Sequence, residues 1–382
     1  MKLFHLSDLH IGRRIGEISL YEDQKYIIDQ ILAYAETELP DGVLIAGDVY
    51  DKSIPSVDAV DLLDYFITEL ISRRLPVFMV SGNHDSPQRL NFGSRILDKS
   101  GIHIAGVFDG KPVKKTLADD FGDVDIYMLP YLKPALVRPH FSNEIVTYED
   151  ALRTVIDSIG IDINRRNILV AHQFVTSGSS QPELSDSESI SVGGLDNIDS
   201  SVFDRFDYVA LGHIHKPQFI NNEKIRYSGS PLKYSFSESL HDKSITVIEL
   251  GKKHDLQIRT LPLVPLRDMR KIKGPVAELV RVGLEDPAGQ NDFIHATVTD
   301  ESEIYDALGR LRTVYPNILR IEFENERTVQ TGSRTSASGS IEQKSPMELF
   351  EEFFGIQNDA ELTDKQKRVM ESVFDKAGGI VQ

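Results

Sequence analysis

The amino-acid sequence predicts a layered α/β protein, followed by a smaller α/β unit and a helical tail. Three observations predict this. Over residues 1 to about 264, short apolar or β-branched runs alternate with segments of helical period. Near Pro262 to Pro265 the pattern breaks, and a second, shorter alternation follows. From Thr328 to Lys344 the chain becomes small and polar, and apolar side chains at helical spacing return after it.

In the first region, strands are expected at 2 to 6, 43 to 47, 76 to 80, 125 to 129, 167 to 171, 207 to 211 and 244 to 250. The segment 56 to 74 carries Val60, Leu63, Ile67, Leu70 and Ile71 at spacings of three and four, which predicts a helix with one apolar face. In the second region, 277 to 283, 292 to 298 and 317 to 323 read as strands around a helix at about 301 to 314. Asp300 with Glu303 resembles a capping box for that helix, and Pro316 stops it. The expected units are therefore 1–264, 265–326, a flexible linker at 327–344 and a helical segment at 345–382. In the last of these, Ser345-Pro346-Met347-Glu348 reads as a helix start ahead of Leu349, Phe350, Phe353 and Phe354. A second helix is expected from about Thr363, with Gln366 closing its box and Val369, Met370, Val373 and Phe374 as its stripe. Helices on a tether need a surface to cover, either their own protein or another chain.

Composition limits the chemistry. There is no cysteine among the 382 residues, so disulfides, thiolate metal sites and cysteine nucleophiles are excluded. A metal would have to be held by His, Asp, Glu, Asn or water. No apolar run reaches the roughly 20 residues that cross a bilayer, and Asp8 interrupts the N-terminus too early for a signal peptide, so a cytoplasmic location is expected. The net charge of -17 argues against a broad basic surface for nucleic acid. A DNA substrate would need local charge, metals or a partner to attract it.

Four short motifs stand where predicted strands end, the edge at which open α/β sheets place ligand sites. Asp8-Leu9-His10 follows the first strand, and residues two apart on extended backbone project to one side. Gly47-Asp48-Val49-Tyr50-Asp51 follows the second, with a carboxylate suited to bridging two cations. Gly82-Asn83-His84-Asp85 follows the third and supplies a neutral oxygen ligand beside an imidazole that can act as an acid. Gly212-His213-Ile214-His215 ends another strand, and a lone His172 closes the run Ile168 to Ala171. Each motif alone could be an ordinary turn. Their recurrence at strand ends points to one site with mixed oxygen and nitrogen donors, a set that suits manganese, iron or zinc. His5, His103, His140, His241, His254 and His295 lack such context and read as structural or exposed.

These motifs resemble the calcineurin-like metallophosphoesterase superfamily, whose pattern is DxH, GDxxD, GNHD or GNHE, a lone His, and GHxH. The match spans residues 1 to about 250. Phe4 to Gly12, Ala210 to Gln218 and Arg226 to Pro231 resemble, more closely, its bacterial DNA-end-processing nucleases, which pair with a coiled-coil ABC-type ATPase. The resemblance implies an α/β/β/α sandwich with a small α/β cap domain at 265–326, and two divalent ions, most readily Mn2+. One ion would be held by Asp8, His10, Asp48 and His215, the other by Asp48, Asn83, His172 and His213. His84 would be the catalytic residue that binds no metal. The resemblance further implies a DNA nuclease with exonuclease and endonuclease action, a homodimer within a heterotetramer, and a tail that docks on the ATPase. Asp51 stands where archaeal and eukaryotic relatives carry a second non-ligand histidine, so that auxiliary role is not carried over. A phosphodiesterase for small phosphoesters and a metal-free scaffold subunit are the rival readings.

Overall fold

The computed structural model describes residues 1–178, 180–188, 196–302 and 304–324, and beyond these 350, 351, 354, 362, 363 and 365–370. Two six-stranded sheets lie face to face. The first runs in the order Leu256–Pro262, Ser244–Leu250, Lys2–Leu6, Gly42–Ala46, Val77–Val80 and Ile102–Ala105, with the last four strands parallel. The second runs Gln218–Ile220, Asn222–Tyr227, Tyr208–Gly212, Arg166–His172, Gly122–Leu129 and Val113–Asp119.

The central strands read as continuous apolar runs because both of their faces are covered. Leu3, Leu44, Ala46, Phe78 and Val80 face Ile126, Met128, Ile168, Val170 and Tyr208 between the sheets. The alternate residues Phe4, Val43, Ile45 and Met79 face the outer helices Tyr21–Glu38 and Val57–Ser72. On the far side, Leu129, Leu169, Val209 and Leu211 pack under the helix Tyr148–Asp157. The result is an α/β/β/α sandwich.

A three-stranded parallel sheet, Met269–Gly274, Phe293–Val298 and Ile318–Phe323, follows with its own core under two helices. It is fastened to the sandwich. Arg267 pairs with the buried Asp23, Lys233 with Asp268 at 2.8 Å, and Met269 and Phe293 enter the first sheet's outer core.

Several expectations are corrected here. Residues 277 to 283 are not a strand but lie in the helix Val276–Glu285. Its β-branched residues suggested extension, yet Val276, Leu279 and Gly283 form a buried stripe at spacings of three and four. The helix expected at 301 to 314 is shorter, Ala307–Arg312, and Asp306 caps it. Asp300 instead accepts a hydrogen bond from the Val276 amide at 2.8 Å. In Val57–Ser72 the buried face is Ala59, Leu62, Leu63, Phe66 and Leu70, one step round from the expected one, and Val60 is exposed. The helix Tyr21–Glu38 has no side-chain cap at Leu20 to announce it, although Ile27, Ile31 and Ala35 are correctly spaced.

The linker at 327–344 lies outside the described residues, as does most of 345–382. Within the described part, 365–370 is helical and Thr363 and Gln366 exchange capping hydrogen bonds, with Thr363 N donating to Gln366 Oε1 at 2.9 Å.

Candidate metal centre

The parallel strands Lys2–Leu6, Gly42–Ala46 and Val77–Val80 end at one edge of the first sheet, and Arg166–His172 and Tyr208–Gly212 end at the adjoining edge of the second. The loops that leave these ends are tied to each other. Asp8 N donates to Gly47 O at 3.0 Å, His10 N to Asp48 O at 2.9 Å and Ile11 N to Val49 O at 2.9 Å. The Asp85 carboxylate accepts from the amides of Val49, Tyr50 and Gly82 at 2.9 to 3.1 Å, joining the second loop to the third. Across the sheets, His213 N donates to Asp8 Oδ1 at 3.0 Å.

The glycines before the polar residues are required by this closeness. A Cβ on Gly82 would lie 2.1 Å from Asp48 Oδ1, and one on Gly212 would lie 1.9 Å from Ala46 O. Among the described residues, nine non-glycine residues have positive φ, and Asp8, His10, Asp48 and His213 are four of them. Such strain, gathered in one place, marks a site that the surrounding fold enforces.

All eight candidate residues come together. Asp8, His10, Asp48, His172, His213 and His215 are buried, and Asn83 and His84 line the opening. His10 Nε2 faces His215 Nε2 at 3.1 Å and lies 3.7 Å from Asp48 Oδ2. On the other side of Asp48, His172 Nε2 is 3.3 Å from Oδ2, and Asn83 Oδ1 is 3.0 Å from both His172 Nε2 and His213 Nδ1. Two triads, Asp8–His10–His215 and Asp8–Asp48–His172, bring ligand atoms within 4.8 Å of one another. A third triad, His10–Asp51–His84, meets the same limit.

The charges are poised against one another. Burial pushes the Asp8 carboxyl up, with neighbouring imidazoles opposing it. Burial also disfavours ionised Asp48, yet the imidazoles of His172, His10 and His84 outweigh it and hold Asp48 well below the ordinary carboxylate range. His172 resists its own burial through Asp48 and Asp8 and rises to about 9. Burial, then the His172 charge, drives His213 down to about 3, and burial lowers His10. Buried imidazoles facing one another and facing carboxylates are poorly satisfied by protons alone. His10 Nδ1 has no hydrogen-bond partner among the described residues, and the facing Nε2 atoms of His10 and His215, 3.1 Å apart, must share one proton or one cation. The residues present fit a pair of divalent cations held by oxygen and nitrogen.

His84 lies at the edge of this cluster, its ring 4.9 Å from that of His10. Its amide donates to Asp48 Oδ1 at 2.9 Å, and its Nδ1 donates to Asp51 O at 3.0 Å, leaving Nε2 available at the opening. The Asp51 carboxylate pairs with Arg13 at 2.7 Å. Of the other histidines, His5 is a satisfied core residue, with Tyr208 OH and Leu211 O on its two nitrogens, and His254 is exposed.

Several supporting residues carry no motif and were not singled out from the sequence. Gln24 donates to Leu9 O and His10 O, Tyr234 OH donates to Leu9 O, and Ser187, Glu188, Glu238 and Lys243 surround His215. They act through hydrogen bonds between segments distant in sequence, which leave no periodic trace.

Residues 1–217 match the family described as calcineurin-like phosphoesterase, and residues 265–358 match the one described as type 5 capsule protein repressor C-terminal domain. The SbcD subunit of nuclease SbcCD from Staphylococcus epidermidis is 33% identical over 99% of this chain and 100% of its own length. The protein of the same name from Staphylococcus saprophyticus is 33% identical over 98% of each. A dimetal phosphatase from Danio rerio is 14% identical, covers 69% of this chain and 96% of its own, and has a TM-score of 0.42, a likeness too loose to bear on function. No helix among the described residues is long and apolar enough to cross a membrane. With its site at the strand ends, its two matching regions and relatives that align along almost all of its length, the chain belongs to the calcineurin-like phosphoesterases and, within them, to the SbcD family of nuclease subunits.

Proposed function

We propose that this chain is a manganese-dependent DNA nuclease that works with an SbcC-type coiled-coil ABC ATPase in DNA end processing, replication and recombination. It would cut double-stranded ends as an exonuclease and single strands or hairpins as an endonuclease. The observation that carries the reading is the position of Asp48, whose carboxylate lies between the His10–His215 pair and the His172–Asn83–His213 group. One ion would be held by Asp8, His10, Asp48 and His215, and the other by Asp48, Asn83, His172 and His213.

When bound, such ions polarise a phosphodiester, activate water and offset the charge that develops on the attacking and leaving oxygens. The chain's own residues do the rest. The ligand loops, locked by their mutual hydrogen bonds and by Asp85, hold the donors without reorganisation during reaction. His84 presents Nε2 toward the opening because its Nδ1 is committed to Asp51 O. From Nε2 it would donate a hydrogen bond or proton to the phosphate or to the departing 3′ oxygen.

Further readings follow the family. The unit at 265–326 would cap the catalytic unit and shape its DNA-binding face, and the tail at 345–382 would dock on the ATPase. A homodimer would follow the family as well, and the exposed Val60 and Phe92, which line one surface cavity, offer it an apolar contact. A net charge of -17 leaves affinity for long DNA to the metals and to the assembled complex.

The test is cleavage of end-labelled linear double-stranded DNA with manganese by the wild type and His84→Ala, with and without the ATPase, alongside a cyclic-nucleotide substrate. DNA degradation that requires manganese and His84 supports the nuclease. Hydrolysis of the cyclic nucleotide alone would transfer the site to a small-phosphoester phosphodiesterase, and a protein that takes up no manganese would favour a scaffold.

A further inference from the structure

Behind His215 lies a closed network of buried polar groups that the chemistry above does not use. Glu238 is fully buried. Its Oε2 accepts from Lys243 Nζ at 2.6 Å, and its Oε1 accepts from Ser187 Oγ at 2.6 Å. Lys243 is buried as well, and its other two protons go to Ser230 Oγ and His215 O, both at 2.8 Å. Lys243 Nζ, 2.6 Å from Oε2, supplies the cation that offsets the charge of the buried Glu238 carboxylate. Ser187 Oγ lies 2.8 Å from His215 Nδ1, whereas Glu238 Oε1 lies 3.5 Å from the same nitrogen, beyond an ordinary hydrogen bond. The His215 amide is held separately, donating to Glu188 Oε1 at 2.6 Å.

These distances fix the protons. Ser187 has one hydroxyl proton, and an oxygen 2.6 Å from an ionised carboxylate must donate to it. Its lone pairs then face His215 Nδ1, which can approach to 2.8 Å only as a donor. His215 therefore carries its proton on Nδ1, and Nε2 is left bare toward His10 and Asp8.

We propose that Ser187 and Glu238 form a relay that sets the tautomer and basicity of His215 and so governs the affinity of one ion of the pair. Both are positioning residues. A carboxylate behind a ligating imidazole raises its basicity and fixes its ring, and loss of such support costs about 10- to 100-fold in metal affinity. Here the carboxylate acts through a serine hydroxyl, because Glu238 is anchored by Lys243 too far back to reach the ring itself. The inference rests on the reading of His215 as a metal ligand.

The test is a calorimetric titration of the full chain with Mn2+ in the absence of DNA, for wild type, Ser187→Ala and Ser187→Thr. It is paired with nitrogen NMR of the His215 ring before metal is added. Ser187→Ala leaves the buried Glu238–Lys243 pair intact, so the fold should hold, and a thermal melt checks this. The wild type should bind two ions and show the proton on Nδ1. Ser187→Ala should bind one ion as before and the other about 10- to 100-fold more weakly, with a mixed tautomer, and Ser187→Thr should restore both. Unchanged tautomer and affinities in Ser187→Ala would overturn the relay, as would equal losses in the alanine and threonine variants. A wild type that binds fewer than two ions would instead remove the metal-site reading, and the relay with it.

Discussion

The two imidazole pairs flanking Asp48 are supported in different ways. On one side, His10 and His215 are backed by carboxylates. Asp51 Oδ1 lies 3.7 Å from His10 Nδ1, Glu238 reaches His215 through Ser187, and each carboxylate is held by a cation, Arg13 or Lys243. On the other side, His172 Nδ1 donates to the main-chain carbonyl of Ala46 at 2.8 Å, and His172 and His213 share the Asn83 amide oxygen. In one half charged side chains stand behind the imidazoles, and in the other the main chain anchors His172. The first can be weakened by removing a charge, and the His172 anchor of the second only by moving the main chain. Asp48 belongs to both, and His84 to neither.

The largest effect should come from the shared residue. Asp48→Asn takes the charge from the point between the halves, and both ions should be lost together. DNA cleavage should fall by more than about 10,000-fold, and elemental analysis should find less than one manganese per chain. If one ion stayed at full occupancy, Asp48 would belong to a single half and the comparison would fail. His84→Ala comes next. If its side chain ligates neither ion, as proposed, cleavage should slow about 100- to 10,000-fold while two ions still bind. Loss of both ions in that variant would remove His84 from its proposed role.

The backbone-built half should break through glycine. Gly47 has φ of 84°, a conformation costly for an L side chain, and a Cβ there would lie 2.4 Å from His172 Nδ1. Gly47→Ala should therefore displace His172 and lower stability by about 3 kcal/mol. Of the two ions, the one on the His172 side should weaken more. Equal weakening of both in a titration would mean that the halves are not separable.

The contrast also explains what the sequence made readable. Strands such as Val43–Ala46 and Ile168–Ala171 declare themselves because burial on both faces demands unbroken apolar runs. The motifs that follow them stand out because glycine, acid and histidine are dense there, and the structure draws all eight of those residues into one cluster. What supports them was not legible. Ser187 sits in a turn and Glu238 ends a single 3-10 turn, too short for a periodic signal, and only the fold brings residues 187, 215, 238 and 243 together. The helix Val276–Glu285 was misread for a related reason: its valines favour extension locally, and packing against Val314 and Tyr315, so close that a Cβ on Gly283 would lie 2.3 Å from Val314, overrides them.

The smallest effect should come from the looser of the two carboxylate backings. Asp51 Oδ1 is 3.7 Å from His10 Nδ1, too far for a strong hydrogen bond, and that nitrogen has no other partner among the described residues. The Asp51 carboxylate is instead committed to Arg13 at 2.7 Å, so its influence on His10 is mainly through charge. Asp51→Asn keeps the shape and leaves the Asp51 main-chain carbonyl free to hold His84. The ion beside His10 should weaken by about tenfold, the low end of what such supporting groups contribute, and the ion beside His172 should be unchanged. Because His84 keeps its anchor, cleavage at saturating manganese should return close to the wild-type rate. A loss that manganese does not restore would mean that Asp51 acts on the reaction itself, in place of the second histidine found at this position in the family's archaeal and eukaryotic members.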